Sequence, residues 1–114
     1  MSTMYEWDVE TCLVYEDGME DVLEHHHAEQ AADLLEQLHE PRPDPEGQGM
    51  LTTRLVLVRD VFDDDGYNLT HRSWADVEAG ELPEHFDDGH RIPLRFHREL
   101  ASALARHTAQ EISR

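Results

Sequence analysis

Lysine does not occur in this 114-residue sequence, cysteine occurs once, and no apolar run approaches the length of about 20 residues that a membrane-spanning helix requires. Each absence removes a class. The lone Cys12 excludes an internal disulfide, and the first residues carry neither the basic region nor the apolar core of a secretory signal, so a cytoplasmic setting is expected. HExxH and paired-cysteine metal motifs are missing, and no nucleophile motif surrounds Cys12, His71 or Ser73. The reading is therefore of a protein that is not an enzyme and needs no cofactor. Aromatic residues make up only 7% and sit mostly at apolar periodic positions, which leaves no base-stacking platform for single-stranded nucleic acid.

Acid is what the chain has in excess. Residues 1–90 hold 24 Asp and Glu against 4 Arg, a formal charge of −20, whereas residues 91–114 hold 5 Arg against 2 Glu, or +3. The net charge of −17 exceeds the roughly 2 to 8 usual for a small domain, and it repels a nucleic acid duplex. Direct nucleic acid binding is thus not expected, even with Arg91, Arg95 and Arg98 on neighbouring turns. Adaptation to salt would spread acid evenly, but here it is gathered ahead of a basic end. That asymmetry favours a surface made for a basic protein partner.

The length suits a single domain spanning residues 1–114 with one modest core. Tyr5, Trp7, Val9, Thr11 and Leu13 alternate with polar residues, the mark of a half-buried strand. From Val22 the spacing through Leu23, His27, Ala31, Leu34, Leu35 and Leu38 fits an amphipathic helix that must stop before Pro41. Three prolines and two glycines then predict a mobile loop over 41–50. Leu51 to Phe62 reads as a central strand, Asp65-Gly66 as a hairpin turn, and Tyr67 to Val77 as the partner strand. Residues 78–93 form a long polar connection, with Leu82 and Phe86 tucked onto the body, and the last helix starts near Pro93 or Leu94. The expected fold is α+β in the order β-α-β-β-α, a three-stranded, mainly antiparallel sheet with two helices packed on one face.

On such a sheet Glu6, Asp8 and Glu10 would form an exposed row with carboxylates about 6.8 Å apart. That repeat is comparable to the spacing of phosphates along a nucleic acid strand. Glu29, Asp33 and Glu36 on the helix would extend the same acidic surface. A second set, Asp21, His25 and Glu29, falls one helical turn apart and offers an alternative function in divalent-metal binding, since His and carboxylate ligands suit zinc and similar ions. The adjacent triplet His25-His26-His27 points about 100° apart on a helix and cannot close on one ion. Asp63-Asp64-Asp65-Gly66 fails as a calcium loop, because Val61 and Arg72 would stand where carboxylates are required. A small acidic scaffold or assembly subunit, with the edge of the first or third strand as the surface for a homodimer, is the remaining alternative.

Three stretches carry a resemblance: Tyr5-Glu6-Trp7-Asp8-Val9-Glu10-Thr11, Arg72-Ser73-Trp74-Ala75-Asp76-Val77-Glu78-Ala79-Gly80-Glu81-Leu82-Pro83 and Pro93-Leu94-Arg95-Phe96-His97-Arg98-Glu99-Leu100. Together they cover about a quarter of the chain. They resemble small acidic proteins encoded by tailed phages and prophages. The resemblance brings no catalytic residues; it implies an inhibitor that occupies a basic nucleic-acid-binding groove of a host protein, as DNA-mimicking anti-CRISPR and anti-restriction proteins do. The basic final helix departs from that pattern, since a pure duplex mimic has no need of it.

Overall fold

The period-two alternation of Tyr5, Trp7 and Val9 with Glu6, Asp8 and Glu10 is realised as β1 (Ser2–Tyr15) in the computed structural model, which describes residues 2–65 and 69–112. An Asp17-Gly18 turn follows. Gly18 takes φ +89°, its amide donates to the Tyr15 carbonyl at 3.0 Å, and the Asp17 carboxylate accepts from the Met19 amide at 3.0 Å. The chain reverses into β2 (Glu20–Ala28), which lies antiparallel to β1 with Asp8 opposite His27, Val9 opposite His26 and Glu10 opposite His25.

This strand replaces the first half of the helix expected from Val22 onward. Val22 and Leu23, the residues that opened the helical pattern, are 52% and 55% exposed, and a bulge lies between the Glu24 and Val22 pairings. The second half of the pattern is buried as foreseen but in another conformation. Ala31, Leu34 and Leu35 enter the core from two successive 3-10 turns, Ala31–Asp33 and Leu35–Gln37. Over so short a run, a period of three marks the same positions as a period of 3.6.

Within the Pro/Gly segment at 41–50, two short stretches of strand flank a turn. Arg42–Pro43 make a two-residue β3 against Leu51 and Met50, and the Asp44 amide donates to the Gly49 carbonyl at 2.9 Å to close the turn. Gly49 opens β4 (Gly49–Phe62), where a Cβ would collide with the Val14 carbonyl. β4 runs antiparallel to the whole of β1, from Tyr15 opposite Gly49 to Ser2 opposite Phe62. The expected Asp-Gly turn after β4 includes Gly66, which lies outside the described residues with Tyr67 and Asn68. β5 (Leu69–Asp76) pairs with the second half of β4, on the edge whose first half holds β3.

The architecture is therefore a curled antiparallel sheet of five strands, ordered β2-β1-β4 with β3 and β5 sharing the far edge. The expected three strands under two helices are corrected: the sheet gains β2 and β3, and one long helix remains. β1 is not an edge, because β2 and β4 flank it from Trp7 to Val14.

That helix is α1 (Leu94–Ile112), entered through Pro93, whose carbonyl accepts from the Phe96 amide at 3.1 Å. Phe96, Leu100 and Ala103 form its buried stripe. Phe96 packs against Tyr5 at 4.8 Å and edge-on to Trp7 at 6.2 Å between ring centroids, so α1 covers the odd-numbered face of β1. Glu99 accepts from the Ala31 amide at 3.1 Å and ties the helix to the first 3-10 turn. Leu82 packs on this core from the 78–93 connection, and Phe86 and Ile92 complete it. We call this side of the sheet the inner face.

Candidate functional site

The even-numbered side chains of β1 share the outer face with Arg54, Val56, Val58 and Asp60 of β4, Arg72 and Trp74 of β5, and His25 and His27 of β2. None of the outer-face residues belongs to the core cluster beneath α1, yet Asp8, Cys12, Val56 and Val58 are all at most 4% exposed. Two arginines explain much of that burial. Arg72 extends from β5 across β4 to place its guanidinium 3.2 Å from Asp60 and 3.4 Å from Glu6 on β1, which carries it over Val58. Arg54 donates from Nε to Glu10 at 2.8 Å and reaches Glu20 on β2 at 3.4 Å, which carries it across β1 beside Cys12. Each arginine spans three strands, which lays its aliphatic stem along the outer face.

These crossings change the electrostatics residue by residue. Burial is the largest single influence on Arg54 and works against its charge, but the hydrogen bond to Glu10 and the attraction of Cys12, Glu10 and Asp76 together outweigh it and hold the guanidinium above its ordinary pKa. Burial pushes the Cys12 thiol up, with Arg54 opposing. Glu6 and Glu10 are each neutralised by an arginine. Asp8, midway between them, has no such ion pair among the described residues. Its carboxyl is raised above the usual carboxylate range, first by burial and then by Glu6, with Arg72 and His27 opposing. Its Oδ1 is buried without a hydrogen-bond partner among the described residues. Facing it are the Glu6 carboxylate and the His27 ring, and one ligand atom from each of the three lies within 4.8 Å of the others.

No family model, curated protein or solved structure matches this chain. What the site can do must come from its own geometry.

The six carboxylates expected to bind a partner thus fall into two groups. Glu6, Asp8 and Glu10 do form a row on one face of β1, away from α1, but the row is partly covered and two of its charges are paired. Glu29, Asp33 and Glu36 are exposed, after β2 and on the 3-10 turns, with no ion pair to any of them among the described residues. The set Asp21, His25 and Glu29 is not brought together, because the helix that would have aligned it is a strand. Asp21 accepts from the Tyr15 hydroxyl at 2.7 Å on the inner side, His25 projects from the outer face opposite Glu10, and Glu29 lies beyond the end of β2.

Sequence reasoning missed His27, Arg54 and Arg72. A signal for His27 was present: a hairpin centred on Asp17-Gly18 sets Asp8 opposite residue 27, give or take the bulge. The two arginines carry no such signal, since their roles depend on crossing a strand that only the sheet order supplies. A separate cleft of about 440 Å³, lined by Trp74, Asp76, Glu81, Leu82, His85 and Phe86, gathers none of the sequence-predicted residues.

Proposed function

We propose that the protein is a non-enzymatic acidic binding protein that docks on a basic groove of a nucleic-acid-handling protein and blocks it. The observation that carries this reading is where unpaired acid remains once the arginines are accounted for. The exposed carboxylates of Glu24, Glu29, Asp33 and Glu36 follow one another along β2 and the two 3-10 turns, with no arginine in ion-pair range among the described residues. β2 is also an edge strand, paired only to β1, so this acid borders a free backbone edge. The docking surface is accordingly this corner, and the outer face of β1 is not its centre. A small phage inhibitor acting in the host cytoplasm fits such a surface.

Of the arginines on α1, Arg106 shares a small cleft with Glu36 but makes no ion pair with it among the described residues. Arg95 lies over the Tyr5 and Phe96 rings at 5.5 and 4.7 Å, so its charge sits at the helix and not at the β2 corner. No helix among the described residues is long and apolar enough to cross a membrane.

Association should be fast and salt-sensitive, as charge-steered complexes are. The test is capture from a host extract by the immobilised chain at low salt. The captured protein is expected to be a nucleic-acid-binding one, to be released by high salt, and to be displaced by duplex DNA. Charge reversal of Glu29, Asp33 and Glu36 to Lys should weaken capture by about tenfold or more. Capture that survives this triple reversal, or that duplex DNA fails to displace, overturns the reading.

A further inference from the structure

Two carboxylates and an imidazole converge on the outer face at a point where one of the carboxylates has lost water without gaining a hydrogen bond at its buried oxygen. Asp8 is 4% exposed, and its buried Oδ1 accepts no hydrogen bond among the described residues. A buried carboxylate in that condition is costly, because desolvation is repaid only by a partner of opposite charge or by strong donors. Its two neighbours on β1 have such partners in Arg72 and Arg54. Across the strand pair, the group opposite Asp8 is His27, and His27 is a ligand type before it is a charge partner.

We propose that Glu6, Asp8 and His27 form a binding site for a divalent first-row transition ion of the Zn²⁺ class. Glu6, Asp8 and Asp60 set three negative charges against the one positive charge of Arg72, which leaves two to balance a dication, and His27 adds a nitrogen donor, so that at least one coordination position remains for water. The ligand atoms of Glu6, Asp8 and His27 lie within 4.8 Å of one another, and ligands around a tetrahedral ion at about 2.1 Å stand about 3.4 Å apart. Closing that gap brings ligand atoms together by at most about 1.4 Å, and His27, which is exposed, has room to turn. Arg72 engages only Oε1 of Glu6, so Oε2 remains for the ion and the guanidinium fixes the carboxylate from behind. Calcium and magnesium fit less well, since they take six or more oxygen ligands and this set includes a nitrogen.

The rigid part of the site comes from the sheet. Glu6 and Asp8 are two residues apart on one strand and point to the same face, while His27 is fixed opposite by the β1–β2 register. His26, its neighbour, pairs with Val9 and so belongs to the opposite face. This separates the proposed site from simple chelation by a run of three histidines.

The experiment is calorimetric titration of the full chain, stripped by chelator, with Zn²⁺ and separately with Mg²⁺, accompanied by melting curves with and without Zn²⁺. One equivalent of Zn²⁺ should bind and raise the melting temperature. Asp8→Asn and His27→Ala should each weaken that binding by about tenfold or more and abolish the thermal shift, while His26→Ala leaves both unchanged. His27 is exposed, so its variant keeps the fold, and the melting curve of each metal-free variant verifies this. No saturable Zn²⁺ binding, binding that persists in Asp8→Asn, loss on His26→Ala, or a preference for Mg²⁺ would each overturn the assignment. Failure here leaves the docking surface on Glu29, Asp33 and Glu36 untouched, because the two readings share no residue.

Discussion

The two faces of the sheet bury their side chains by opposite means. On the inner face Trp7, Val9, Leu55 and Leu57 lie beneath the apolar stripe of α1 and the 3-10 turns. On the outer face Val56, Val58 and Cys12 are as inaccessible, but charged groups help to cover them: Arg72 crosses β4 to Glu6, and Arg54 crosses β1 to Glu20. Burial is thus a poor guide to what does the burying. A charged cover is screened by salt and an apolar one is not.

The largest effect that would break the comparison is truncation on the inner side. Trp7→Ala removes a fully buried ring and should cost about 3 to 5 kcal/mol in denaturant unfolding, nearly independent of ionic strength. Next comes the outer cover. Arg72→Ala strips Asp60, whose side chain is only 14% exposed, of its cation and should cost about 1 to 3 kcal/mol. That loss should shrink in 1 M salt, where the wild-type pairs are themselves weakened. If Arg72→Ala and Trp7→Ala showed the same salt dependence, the distinction between the two covers would be wrong.

The smallest effect has the opposite sign. Asp8→Asn, measured with chelator present, should stabilise the protein by about 1 kcal/mol or less, because it removes a desolvated charge while keeping the shape. Since the folded-state pKa of Asp8 lies above its unfolded value, the folded chain binds the proton more tightly. The penalty is therefore full above the folded pKa and fades as pH falls through that value toward the ordinary carboxylate range. Melting curves of the two proteins should converge as the solution is acidified from neutrality. A gap that widens on acidification would reverse the assigned sign.

What could be read from the chain depended on which element carried the information. β1 and β4 were legible because their alternation or continuous apolar run has one interpretation, and α1 was legible because Phe96, Leu100 and Ala103 recur at helical spacing in a segment free of proline and glycine. β2 was not. Its only apolar pair, Val22 and Leu23, is solvent-exposed, and the strand is held by backbone pairing with β1, which leaves no imprint on side-chain pattern. Once β2 was taken for a helix, His27 could not be placed beside Asp8. The acidic row itself was visible, but its neutralisation was not, because Arg54 and Arg72 are 44 and 66 residues from Glu10 and Glu6. Ion pairs at that separation follow from sheet order alone.

Cys12, 1% exposed beside the Arg54 crossing, makes that end of the hairpin a timepiece. A water-soluble thiol reagent reaches the sulfur only while the crossing is open, and burial keeps the thiol protonated and slow to react until then. The rate of labelling consequently reports the frequency of local opening without unfolding the rest of the molecule. Because the cover is ionic, that frequency should climb with added salt, so a single sulfur atom gives a kinetic record of how firmly two charges hold three strands together.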